Sequence, residues 1–409
     1  MNKKISLGAA IAYMAIVAAV AFCLTMFYSE NRYNSMYSNI VEREREYDLL
    51  AEIDQYARSS YAGTINEDTL RAGIAAGYIS GLDDPYARYL TEREYEAYLN
   101  AQSQRYVGIG VVTEMDVDGY IRIKTVYPQS PAASAQMQPG DLIVSVDGTA
   151  ATQDNYTELV GSFQGSAGTK ISLVLRRDAE EMTVELTRRE IDVPTITSTL
   201  MDNVGYLSFT DINSRSSSHL DTAIRQMTQE GAQALIFDIR GLASENVEAV
   251  GNMLDILLGE MTTVYIQDQD GSLRELMTSD EKEVELPMVV LADSGTTGTS
   301  ELFAQALQDT GKARVVGEKT FGKGTYQEFH QLKNGSAVYL TVARYAGPSG
   351  VTYDETGVSA DYEVQYPAEL DKTTTLGNPE FDTQLRRALE IATTAVKTET
   401  SGTSETTGG

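Results

Sequence analysis

Hydrophobic and polar positions change their spacing several times along this chain, and each change marks a different kind of element. Residues 5–27, ISLGAAIAYMAIVAAVAFCLTMF, carry no charge. A run of that length suffices to cross a bilayer as one helix. Lys3 and Lys4 precede it and acidic residues follow soon after. The positive-inside bias then leaves the N-terminus in the cytoplasm and everything after Tyr28 outside. A cleaved signal peptide is the rival reading, since Ala19-Val20-Ala21 has the small-x-small form of a cleavage site. The apolar run continues past that point through Phe27, which favours an uncleaved anchor.

Beyond the anchor, residues 29–104 carry apolar side chains at helical spacing, as in EREREYDLLAEIDQYARSS and INEDTLRAGIAAGYISGL. Asp83-Asp84-Pro85 interrupts them, because proline disfavours the helical region for the residue before it. Thr91 followed by Glu94 forms a capping box that opens another helix. Asp83 and Asp84 therefore read as cap and turn residues. Across 105–190 the period drops to two (VGIGVVTEM, GYIRIKTVY, DLIVSVDG, KISLVLRR, EMTVELTRR), with Gly, Asp and Pro turns between. Over 191–368 apolar strands such as ALIFDIRG and MVVLADSG alternate with helical stretches such as TSELFAQALQDTG, the signature of an α/β core. Residues 369–409 turn polar, and TETSGTSETTGG at the end has the composition of disorder.

A net charge of −27 excludes nucleic acid as a partner, because no basic face is available to neutralise phosphates. The only cysteine, Cys23, sits in the apolar run, so neither an intrachain disulfide nor a thiolate cluster is expected. His219 and His330 belong to no H-E-x-x-H pattern, and no metal or cofactor is expected.

The stretch Gly317–Gln327, GEKTFGKGTYQ, carries the candidate chemistry. Its G-x-x-x-x-G-K spacing imitates a phosphate-binding loop, but Gly324 stands where Ser or Thr would ligate magnesium. A helix should also follow such a loop. The chain instead continues with strand residues and an Asn334-Gly335 hairpin turn. Lys323 is better read as a general base, which requires burial away from water. Gln327 could orient its amine. An exposed hairpin lysine is the ordinary alternative.

In order along the chain come GLDDPYARYLTEREYEAYL, YVGIGVV, SPAASAQMQPGDLIVSVDG, FQGSAGTKISLVLRR and TSELFAQALQDTGKARVVGEKTFGKGTYQ. This ordered set resembles the carboxyl-terminal processing peptidases, or tail-specific proteases, from about Asp48 to about Val364. The resemblance implies an exported serine peptidase with a PDZ domain ahead of an α/β Ser/Lys catalytic core. It assigns Lys323 as general base and Gln327 as the residue that positions it. Gly108, Ile109, Gly110 and Val111 become the loop whose N–H groups receive a substrate's terminal carboxylate, a recognition mode that needs no cationic side chain.

Two departures stand out. The family's nucleophilic serine lies twenty-five residues before the lysine, in a run typically S-A-S-A-S-E. Here the run is TTGTSE and the position is Gly298. Thr297, Thr299 and Ser300 are the neighbouring hydroxyls that could substitute, although successive helical positions point about 100° apart. Secondly, ALIFDIRG continues with Leu242-Ala243-Ser244-Glu245 where the family usually has N-P-G-G. A carboxylate at Glu245 would oppose stabilisation of an oxyanion.

The expected architecture is a cytoplasmic stub and transmembrane helix (1–28), a helical N-terminal region (29–104), a PDZ domain (105–190), a peptidase-like α/β core (191–368) and a C-terminal segment with a disordered tail (369–409). Expected partners are flexible protein C-termini and the cell membrane, with the bulk of the chain extracytoplasmic; the resemblance also allows a homodimer. Two functions stay open: a tail-specific endopeptidase of Ser/Lys type, or a non-catalytic tail-binding relative.

Overall fold

The computed structural model describes residues 44–103, 106–178 and 180–404, together with Met14, Val17, Val20 and Met26. The run 5–27 thus lies outside the described residues except at those four positions. Among the described residues no helix is long and apolar enough to cross a membrane. Length alone does not qualify one. The longest, Thr383–Ser404, carries Arg386, Arg387 and Glu390, and it buries only one face. The expected single transmembrane helix, and the membrane contact built on it, is therefore withdrawn from the fold class.

The chain divides into two compact units, with the break after Ala75. Before it, residues 44–60 are helical and the helix Glu67–Ser80 begins. In the second unit Thr91 caps the helix Glu92–Ser103 as its spacing predicts: Glu94 Oε2 accepts from the Thr91 N–H at 2.9 Å and from its hydroxyl at 2.8 Å.

Period-two alternation builds the PDZ-like module. In Lys170–Arg177 the residues Ile171, Leu173 and Leu175 are fully buried while their neighbours face outward. The antiparallel order is Val111–Met115, Ile121–Val126, Leu142–Val146, Lys170–Arg177, Glu180–Thr187. Val107–Gly108 pairs with Arg189–Glu190 and ties the two ends of the module together. Helix Pro131–Ser134 starts where the sequence asks: Pro131 opens it, and the Ser130 hydroxyl accepts from the Ala133 N–H at 3.0 Å. Truncating Ile171 or Leu173 to Ala would cost about 2–5 kcal/mol.

Apolar strands that show no alternation form the core sheet, because both faces are covered. Its order is Ile196–Met201, Val204–Phe209, Ala234–Asp238, Met288–Ala292, Ala313–Gly317, Tyr362–Glu363, parallel after the first pair. One face, with Leu235, Phe237 and Val290, packs on the helices Ser216–Gln229, Val247–Leu257 and Thr299–Asp309. The other, with Ala234, Ile236 and Leu291, receives Leu385, Ala388 and Ala392 of the C-terminal helix. That helix continues into the polar TETSGTS stretch, which composition alone marks as disordered; residues 405–409 lie outside the described residues.

A second, antiparallel sheet (Arg88–Leu90, Ala337–Ala346, Met261–Gln267, Leu273–Ser279) adds the hairpin strand Thr325–Gln331 against Ala337–Ala346. Gly335 supplies the positive φ its turn needs.

Candidate functional site

The parallel strands end on one side of the core sheet, where ligand sites of open α/β sheets collect. Asp293, just past Met288–Ala292, accepts from the N–H groups of Gly241 (2.7 Å) and Gly295 (3.0 Å). It so fixes the loops that follow two neighbouring strands. Those loops meet as a two-residue parallel pairing, Ala243–Ser244 with Thr297–Gly298.

Gly298 caps the helix Thr299–Asp309 at φ 74°, ψ −131°. This is a strand-to-helix turn at a positive φ that glycine adopts without a Cβ penalty. Here only glycine fits. A Cβ at this position would sit 2.1 Å from the Ser244 carbonyl oxygen. The Gly298 carbonyl accepts from the buried Tyr353 hydroxyl at 2.9 Å.

Glu301, fully buried three residues on, joins this turn to the lysine loop. Its carboxylate accepts from the N–H groups of Gly298 (2.9 Å), Gly322 (2.6 Å) and Lys323 (2.9 Å), and from the Thr320 hydroxyl (2.5 Å). Four donors make such a buried carboxylate tolerable. The backbones of positions 298 and 323 are thereby held by one side chain.

The Lys323 side chain is 13% exposed, and its Nζ lies 4.7 Å from the centre of the Tyr86 ring. Burial is thus as expected, but the amine's engagement is not. Nζ forms an ion pair with Glu245 Oε1, whose other oxygen accepts from the Tyr339 hydroxyl at 3.3 Å. Burial and the charge of Glu245 push the Tyr339 phenol up, which keeps it a donor. The amine of Lys323 is thus engaged by a carboxylate in this structure. Gln327 also differs from expectation: its Nε2 donates to the Tyr86 carbonyl at 3.1 Å, so it holds the segment carrying Tyr86. Lys323, Gly298, Glu245, Gln327 and Thr299 share one cavity of about 30 Å³.

Of the three fallback residues, Thr299 lines that cavity and Thr297 and Ser300 do not. Thr297 donates to the Gly295 carbonyl, Thr299 donates to Ser244 Oγ at 3.0 Å, and the buried Ser300 hydroxyl has no partner among the described residues. His219 Nδ1 meets the N–H and hydroxyl of Thr195 and its Nε2 the Asp192 carboxylate at 3.2 Å, while His330 is exposed on a strand; neither lines the cavity of Lys323. Among the described residues no cluster of His, Cys, Asp or Glu is arranged to hold a metal.

In the PDZ-like module, the Ile109 carbonyl accepts from the Ala132 N–H and the Gly110 carbonyl from the Tyr127 N–H, both at 2.9 Å. Across a trans peptide the next N–H points the opposite way. The N–H groups of Gly110 and Val111 therefore turn away from those neighbours. Gly110 has φ +84°, and a Cβ there would strike Ser130 Cβ at 2.2 Å. The strand Val111–Met115 is an edge of its sheet among the described residues. Thr113 on it meets Tyr156 of the helix Tyr156–Gly161, hydroxyl to hydroxyl, at 3.4 Å.

The residues that sequence reading missed are Ser244, Tyr86, Tyr339, Tyr353 and Glu301. Only Glu301 had a readable signal, the T-x-x-x-E run before an apolar helix; the others act from distant segments.

Comparison with known proteins agrees with this geometry. Residues 203–364 match the profile of Peptidase family S41 and residues 122–177 that of a PDZ domain. The chain is 31% identical over 316 residues to the chloroplastic C-terminal processing peptidase of Tetradesmus obliquus, covering 71% of this chain and 68% of that one. It is 29% identical over 355 residues to carboxy-terminal processing protease CtpA of Bacillus subtilis, covering 86% and 76%. Among solved structures, a photosystem II D1 C-terminal processing protease is 28% identical with a TM-score of 0.48, over 77% of this chain and 86% of that one. The chain belongs to the C-terminal processing peptidases of Peptidase family S41.

Proposed function

We propose that this chain is a catalytically silent member of its family that recognises free protein C-termini through its PDZ domain. One observation carries the reading: the nucleophile position is Gly298, and the Ser244 carbonyl occupies the space a side chain would need. Serine-type hydrolysis by a Ser/Lys dyad needs an Oγ there, and it needs the lysine free to take that proton. It also needs N–H donors facing the developing oxyanion. In this chain no hydroxyl stands at 298, Lys323 is paired with Glu245, and the Glu245 carboxylate lines the same cavity as Gly298. Removal of the nucleophile leaves at most a small residue of the family's rate.

Tail recognition keeps its parts: an edge strand for main-chain pairing, and N–H groups of Gly110 and Val111 for a terminal carboxylate. The full chain incubated with a loosely folded protein of free C-terminus should bind it without cutting it. Mass spectrometry of the substrate reads cleavage, with Lys323→Ala as background. Cutting by the unaltered chain that Lys323→Ala abolishes would overturn the silent reading.

A further inference from the structure

We propose that the Lys323 pocket is itself a receptor for a free peptide carboxylate, and that Glu245 is its internal occupant. This deepens the silent-slot reading above and rests on it. The structure already holds a carboxylate in the pocket, gripped by the Lys323 amine on one oxygen and by the Tyr339 hydroxyl on the other. Neither donor is positioned by Glu245. The Lys323 backbone is held by the buried Glu301, which accepts its N–H, and its amine lies 4.7 Å from the centre of the Tyr86 ring. Tyr339 is set by its ring, stacked on Phe329 with centroids 4.2 Å apart, and by Arg88 at 5.1 Å from its centre. The donors are preorganised, which lowers the ordering cost for any carboxylate that enters.

The occupant is the more exposed partner. Its side chain is 50% exposed while the lysine is 13% exposed. A pair so open on one side is held weakly and can exchange with an external carboxylate. The cavity of about 30 Å³ also includes Thr325, whose buried hydroxyl has no partner among the described residues. While Glu245 stays, that space suits about one water. Withdrawing its terminal CH₂–COO⁻ opens room for the end of a peptide. One ammonium and one neutral phenol match a single negative charge, and a chain of net charge −27 repels polyanions. The ligand class is thus a monoanionic carboxylate, the end of a polypeptide.

The test uses the full chain with Glu245→Ala, whose deleted atoms correspond to acetate. Sodium acetate and one short peptide, as free acid and as C-terminal amide, are the probes. The readout is the rate at which an amine-reactive ester labels Lys323, followed by mass spectrometry of that fragment. Lys323 should label faster in Glu245→Ala than in the unaltered chain, and acetate should slow it again. The peptide acid should protect at concentrations about tenfold lower than its amide, the ratio one charge-assisted hydrogen bond supplies. Protection also requires Tyr339: in Glu245→Ala with Tyr339→Phe it should weaken. Equal protection by acid and amide, or none by acetate, would overturn the receptor. If Glu245→Ala fails to fold, Glu245→Ser, which also vacates the pocket, carries the same test. The probe peptide's own mass reports cleavage separately, so failure of the silent reading is distinguishable from failure of the receptor.

Discussion

Glycine at 298 is required twice over, by its backbone angles and by the Ser244 oxygen beside it. Serine in that φ/ψ region would store about 1–3 kcal/mol of strain before any clash is counted. Gly298→Ser alone should therefore lower stability by at least that amount in denaturant melts and should show no proteolysis. Glu301 poses the complementary case. Exchanging its carboxylate for an amide turns an NH₂ toward N–H donors, and Glu301→Gln should cost about 1–3 kcal/mol. Because it holds both 298 and 323, that variant should also raise amine labelling of Lys323. A folded variant with unchanged labelling would remove its positioning role.

Elements, more than single residues, keep the slot shut. The two-residue pairing of Ala243–Ser244 with Thr297–Gly298 brings one loop's carbonyl into the other's turn. The blocking oxygen belongs to the backbone, so no substitution at 244 removes it, and Gly298→Ser should stay inactive towards an unfolded substrate even when combined with Glu245→Ala. Activity in Gly298→Ser alone would contradict the closed geometry. The C-terminal helix is also part of the core. Asp382, two residues before Gln384, meets the buried Arg240, which also pairs with Asp238. Arg240→Met would leave two buried carboxylates without their cation and should cost about 3–5 kcal/mol in a melt.

For the molecule as a whole, acid sensitivity follows from its buried carboxylates. Burial pushes Asp382 and Asp293 up, but Arg240 for the first, and Lys372 with the Gly241 N–H for the second, hold both below the usual carboxylate range. A depressed folded-state value stabilises the fold above the unfolded value, about 3.9 for Asp. That contribution is lost as pH falls from there through the folded values. Thermal melts at stepped pH should be flat in this respect down to about pH 4 and fall below it. Asp382→Asn should shrink that fall. Binding belongs to the same scale: a peptide acid should bind the chain more tightly than its amide, and Gly110→Ala, strained at φ +84° and crowded by Ser130, should abolish the difference.

The order of segments, the hairpin after Lys323, the capping box at Thr91 and the absence of a side chain at 298 were all legible from residue type and local spacing, because helix period, strand period and turn chemistry act within a few residues. The uncharged run at 5–27 was legible only as composition. What the amine of Lys323 actually touches was not legible. Glu245 lies 78 positions away, and Tyr86, held by Gln327, lies 241 positions from that glutamine. Such pairings depend on how sheets stack and which loops converge at their ends. Sequence alone therefore determined which chemical groups this protein owns and which one it lacks. Tertiary packing alone decided that its lysine would be met by a carboxylate and its glycine by a carbonyl, since only close approach in a low-dielectric interior makes those contacts exist.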